Sequence, residues 1–139
     1  MNYLLDVNVL VAWGWADHTE HRRVGLWIAE ARVQRGTKFM TSAIPELGFI
    51  RVSVQRIGGK LPVSEASSVL AGLLRSLGKR HLFLADDQSS AEAFPDWCTG
   101  AGRSTDAHLK LLADRHQAVL ATLDTGIPNA FLIPPVTLD

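Results

Sequence analysis

The sequence is short of features that would declare its class at once. It has one cysteine, Cys98, in 139 residues. A lone cysteine excludes an intrachain disulfide and leaves no thiolate cage for a metal ion. No His or basic cluster stands near it in sequence to activate it as a nucleophile. No stretch approaches the roughly 20 uninterrupted apolar residues of a membrane-spanning helix. No basic leader opens the chain, and Asp6 and Asn8 break the short apolar run after Tyr3, so a secretory signal is not expected and the cytoplasm is the expected compartment.

Net charge is absent as well, since 14 Lys and Arg balance 14 Asp and Glu. This argues against a protein that holds nucleic acid by bulk positive charge, for which a basic domain is expected. It leaves room for an enzyme acting on nucleic acid, because metal ions supply positive charge locally. A near-neutral chain with 47% apolar residues favours self-association or a permanent partner. Internal repeats, low-complexity tracts and linkers are also lacking, and the length fits one domain over residues 1–139.

What is present is an alternation of short apolar runs and amphipathic segments. Tyr3–Leu5, Lys38–Met40, His81–Leu84, Ala118–Ala121 and Phe131–Ile133 read as strands. Val7–Trp15, Thr19–Arg35, a segment from Ser42 to Gly58, Pro62–Leu77 and Ser104–His116 read as helices, with Asp87–Phe94 as a further short one. Thr41 or Ser42, and Ser104 or Thr105, are the expected helix caps. Strands alternating with helices predict an α/β fold: a central, mostly parallel sheet with helices on both faces. In such sheets ligands collect outside the carboxyl ends of the strands.

That rule gives the acidic residues a common destination. Asp6 and Asp124 each follow a strand, and Glu46 and Asp106 each fall in or near a first helical turn. Carboxylates gathered in one cleft repel one another unless something positive fills it. A hard cation, Mg²⁺ or Mn²⁺, is the expected occupant. Such a site suits phosphodiester hydrolysis by metal-activated water. Asp6 and Asp106 are the candidate direct ligands, Glu46 and Asp124 the candidate residues around a second ion or its water, and Asn8 and Thr105 the candidate supporting residues. The bland reading is that acids near helix starts answer the helix dipole. It fits Glu46 and Asp106 well on spacing alone. It fits Asp6 poorly, because a carboxylate after Leu4-Leu5 with apolar residues beyond is expected to be partly buried.

Four segments carry a family resemblance. Leu4-Leu5-Asp6-Val7-Asn8-Val9-Leu10-Val11-Ala12 resembles the opening of PIN-domain ribonucleases, in particular VapC-type toxins of toxin–antitoxin pairs. Thr41-Ser42-Ala43-Ile44-Pro45-Glu46-Leu47, Arg103-Ser104-Thr105-Asp106-Ala107-His108-Leu109 and Ala121-Thr122-Leu123-Asp124 look like the later acidic motifs in the same order. The resemblance implies a PIN-like three-layer sandwich and Mg²⁺- or Mn²⁺-dependent endoribonuclease activity at Asp6, Glu46, Asp106 and Asp124. It also implies a homodimer, a small VapB-like antitoxin, and a structured RNA substrate such as transfer or ribosomal RNA. One departure is that Thr125-Gly126 follow Asp124, where many members carry a further acidic or polar residue.

Other features compete for attention. His18 and His21 have metal-pair spacing without a further ligand, and Asp86-Asp87 is a rival acidic site, with Asp87 read foremost as a helix cap. Gly100-Ala101-Gly102 lacks the rest of a nucleotide loop. Trp13, Trp15 and Trp27 suit core packing first and protein contact second. Arg51, Arg56, Lys60, Arg103 and Lys110 are candidate phosphate contacts. A metal nuclease acting on DNA and an inactive PIN-like interaction module are the alternative readings.

Overall fold

The computed structural model describes residues 1–137. Five parallel strands form one sheet: β1 (Asn2–Leu5), β2 (Lys38–Thr41), β3 (His81–Phe83), β4 (Val119–Thr122) and β5 (Phe131–Leu132). The expectation of a mostly parallel sheet is thus met by one in which every described pairing is parallel. The strand order is β3-β2-β1-β4-β5. The chain runs outward from β1 to β3, then crosses back to place β4 on the other side of β1. A crevice therefore opens at the carboxyl ends of β1 and β4, the switch point at which open α/β sheets bind ligands.

Five helices cover the sheet: α1 (Val7–Gly14), α2 (His21–Arg32), α3 (Ala43–Arg56), α4 (Val63–Leu77) and α5 (Ser104–Arg115). Successive strand side chains point to opposite faces, and the two cores follow that alternation. Leu5, Phe39 and Ala121 pack with Val9, Leu10, Ile28, Phe49 and Leu70 of α1 to α4. Leu4, Met40 and Leu120 pack with Leu109 and Leu112 of α5. Burial on both faces is why the strands read as apolar runs rather than alternating ones. Trp27 is buried in the first core and Trp15 stacks on Phe49, so the tryptophans near the amino end serve packing. Gly48 brings α3 close to α1, since a Cβ there would stand 2.6 Å from Cγ2 of Val7.

Two local expectations fail for the same reason. Residues 87–94 are irregular rather than helical. Gln88 N donates to Oδ1 of Asp86 and Ala91 N to Oγ of Ser89, at 3.0 Å each, so side-chain acceptors take the amides a helix would use. Asp87 accordingly caps no helix. The expected hydroxyl caps also do other work. Neither Ser42, the N-cap of α3, nor Arg103, the N-cap of α5, makes a side-chain capping bond. Thr41 turns to Glu46, and Ser104 donates to the carbonyl of Ala101 at 2.7 Å.

Candidate active site

Asp6 extends the β1 ladder by one residue, its N–H donating to the carbonyl of Ala121 at 3.0 Å. The chain then turns into α1, and Asp6 is its cap: Oδ1 accepts from Val7 N at 2.7 Å. Oδ2 accepts from the hydroxyl of Thr122 at 2.7 Å. Because Leu5 lies opposite Ala121 in register, Thr122 stands beside Asp6. Asp6 is only 5% exposed. Burial pushes its carboxyl up from the ordinary range; the bonds from Thr122 and Val7 oppose that, and Asp124 adds to it.

Thr122 is the hub of this end of the sheet. Its hydroxyl donates to Asp6 and accepts from Nδ2 of Asn8 at 3.3 Å and from Asp124 N at 3.0 Å. All three hydrogen-bonding positions of a hydroxyl are filled. Oδ1 of Asn8 accepts from Leu123 N at 3.2 Å, so Asn8 ties α1 to the chain leaving β4. Asp124 continues from there, with Oδ1 accepting from Gly126 N at 2.7 Å. Arg103 donates to the carbonyl of Gly126 and lies 5.0 Å from the ring centre of Trp97. A Cβ on residue 126 would meet Asp124 Oδ1 at 3.2 Å and the guanidinium nitrogens at 3.4 Å. The glycine at that position thus has a local reason: it admits Arg103 against the Asp124 turn.

Asp106 sits in the first turn of α5. Its carboxyl is raised first by burial, then by Asp6 and by Asp124, while Arg103 partly offsets the repulsion. Asp6 and Asp106 thus share a cavity wall, and the charge of Asp124 reaches both. Glu46, in the first turn of α3, is held apart on a bond of its own. Its Oε2 accepts from Thr41 at 2.6 Å, and Thr41 is also bonded to Nε2 of His81 at 2.7 Å. Glu46 is not among the sources of the repulsion on Asp6 or Asp106.

A cavity of about 320 Å³ opens here. Asp6, Asn8, Thr105 and Asp106 form its polar wall, with Val7, Val11 and Val52 as its apolar one; His18 reaches it too. His18 and His21 each use Nδ1 for a local bond. Nδ1 of His18 accepts from Glu20 N at 3.0 Å, and Nδ1 of His21 is bonded to the Ala12 carbonyl at 2.9 Å. Of the basic candidates, Arg56 is paired with Asp17 and Lys110 with Asp114. Arg51 lines an adjoining cavity that shares Val7, Val52 and Thr105 with the first.

Among the described residues, no three His, Cys, Asp or Glu side chains form a ready-made metal cage. Mg²⁺ usually takes one or two carboxylates directly and keeps several waters. The donor set is hard oxygen, Asp6 and Asp106 line a cavity, and Arg103 partly offsets the negative charge at Asp106. The residues present fit such an ion. Sequence reasoning missed the hub role of Thr122 and the place of His81. Thr122 lay inside a quoted motif, and its only further signal is its register beside Asp6.

No family model matches the chain. Relatives do. The chain is 32% identical over 142 residues to ribonuclease VapC29 of Mycobacterium tuberculosis, covering 99% of this chain and 100% of that one. It is 30% identical over 135 residues to ribonuclease VapC39 and 32% identical over 139 residues to ribonuclease VapC44 of the same organism, with 94% of each chain covered in both cases. With similarity of that degree over nearly the whole of its length, the chain belongs to the VapC family of PIN-domain ribonuclease toxins.

Proposed function

We propose that the chain is a Mg²⁺- or Mn²⁺-dependent endoribonuclease and the toxin of a type II toxin–antitoxin pair. The observation that carries this reading is a buried carboxylate, Asp6, fixed by two hydrogen bonds at the sheet's switch point and lining an open cavity with Asp106, where the charge of Asp124 reaches both. Asp6 and Asp106 would hold the ion directly, with Asp124 and Glu46 placing water or a second ion. A bound divalent ion supplies Lewis acidity toward phosphoryl oxygens and lowers the pKa of water.

The chain's own residues supply orientation. Thr122 and Val7 N hold the Asp6 carboxylate in one rotamer, and Asn8 locks Thr122 in turn. Thr105 exposes its hydroxyl at the cavity wall, where it can orient water or a phosphate oxygen. Arg51 stands where an RNA phosphate can pass on its way to the aspartates. The relatives' names support RNA as the substrate, with transfer or ribosomal RNA as the proposed targets. A VapB-like antitoxin and a homodimer complete the reading. Leu47, 61% exposed beside Ile44 on the adjoining cavity, offers an antitoxin an apolar foothold.

Expression of the wild type and of Asp6→Ala in a bacterial host tests this directly. Growth arrest is expected with the wild type and relief with the variant; equal toxicity, or none in either, would sink the toxin reading. Purified protein assayed in parallel on single-stranded RNA and DNA separates a ribonuclease from a DNA nuclease. Protein that neither binds Mn²⁺ nor cuts RNA is an inactive interaction module.

A further inference from the structure

Glu46 is the one acid of the four that is anchored by a side chain outside the aspartate network. Thr41 is the last residue of β2, fully buried, and lies one step beyond the pairing of Leu4 with Met40. His81 opens β3, opposite Phe39, so its ring shares a sheet face with Thr41. A carboxylate can only accept, so the single proton of the Thr41 hydroxyl goes to Oε2 of Glu46. That oxygen then has only lone pairs left for His81, which makes Nε2 of the imidazole the donor. The order of donation is forced: His81 Nε2–H to Thr41 Oγ1, and Thr41 Oγ1–H to Glu46 Oε2.

We propose that His81 and Thr41 are positioning residues for cleavage, a two-link chain from β3 that fixes the carboxylate of Glu46 at the start of α3. The inference rests on the reading of Glu46 as part of the cleavage site. Oε2 is anchored by Thr41, while Oε1 is left to act outward. Two strands with no carboxylate of their own thereby set the angle of Glu46. Outer partners of this type change metal affinity or activity by 10–100-fold when removed.

The test uses the full chain and two readouts: kcat and KM on an RNA oligonucleotide, and Mn²⁺ affinity measured by titration without RNA. His81→Leu is expected to lower kcat and to weaken Mn²⁺ binding by roughly 10–100-fold, with KM for RNA little changed. Thr41→Val, which removes only the hydroxyl, is expected to do the same. His81→Gln keeps an N–H donor and is expected to recover most of the loss. In a Glu46→Ala background, His81→Leu is expected to add nothing, because the chain then ends on no carboxylate. A His81→Leu loss of equal size in that background, or a His81→Gln variant no better than His81→Leu, overturns the proposal. If His81→Leu does not fold, Thr41→Val alone and in the Glu46→Ala background decides by the same criteria. Wild-type cleavage and Mn²⁺ binding by Glu46→Ala itself would be a different failure: it removes Glu46 from the site, and the inference goes with it.

Discussion

Two groups of aspartates touch α5, and they differ in what faces them. Asp86 and Asp87, in the loop after β3, are bonded to imidazole and guanidinium nitrogens. Asp86 bonds Nε2 of His108 at 2.6 Å, and Asp87 bonds Nε2 of His116 at 2.8 Å with Arg115 at 3.3 Å. The carboxyl of Asp87 is accordingly held below the ordinary range, chiefly by its bond to His116. Asp6 accepts from the Thr122 hydroxyl and Val7 N and Asp124 from Gly126 N, while their charges repel one another and that of Asp106. Asp6 and Asp106 are pushed up, by burial first and then by neighbouring aspartate charge. Acids that are paired hold a loop in place. Acids left in mutual repulsion beside an open cavity call for a positive ligand. The contrast turns the rival acidic site of the sequence into a staple and leaves the other group as the one proposed for cleavage.

The largest test of that contrast is activity. Asp6→Asn should lower RNA cleavage by at least ~100-fold, since even an outer partner of a metal ligand is worth 10–100-fold. Asp87→Asn should leave it within about twofold, as for other surface changes. Similar losses in both would erase the distinction. Next is metal linkage. At a hundredfold excess of Mn²⁺ over its Kd the folded state gains ~2.7 kcal/mol, so a thermal melt should shift upward in the wild type and in Asp87→Asn. The shift should vanish in Asp6→Asn.

Removing the staple should cost stability instead. Asp86→Ala leaves the buried His108 ring without its acceptor, a loss of ~1–3 kcal/mol, read as a lower midpoint in urea. Cleavage per folded molecule should persist. The smallest effect has the opposite sign. Asp106→Asn removes a repelled charge and should raise Tm by roughly 1–3 °C while abolishing cleavage.

pH separates the two groups further. A carboxyl raised in the folded state favours folding below its unfolded pKa and loses that advantage as pH rises through the folded value. The Tm advantage of Asp106→Asn should therefore be absent well below the ordinary value of 3.8 and appear above the raised folded pKa. Asp87 is lowered, so its contribution is present above 3.8 and lost as pH falls through the folded value. Any deficit of Asp87→Asn should thus fade in acid. Melts of both variants from acid to neutral pH check the two signs together.

Much of the architecture was legible in the residues. Leu4-Leu5, Phe39-Met40 and Leu120-Ala121 are paired apolar steps, which a strand buried on both faces needs. The helices carrying Glu46 and Asp106 were legible from their stripes, and Asp6 from a carboxylate set among apolar residues. The short helix expected after Asp87 was not there, because Asp86 and Ser89 accept amides from their own loop. The caps expected of Thr41 and Ser104 were equally local guesses, overruled by Glu46 and by the Ala101 carbonyl.

The sequence by itself determined the alternation of strands and helices and which acids stand at strand ends and first turns, because periodicity and turn chemistry act over a few residues. Only the tertiary structure decided which of those acids meet and what faces each. The hydrogen-bond partner of Asp86 is 22 residues away on α5, the hydroxyl donor to Asp6 is 116 residues away on β4, and His81 is 40 residues from Thr41. Those pairings follow from strand order and register, which bring distant residues side by side and leave no local mark on the chain.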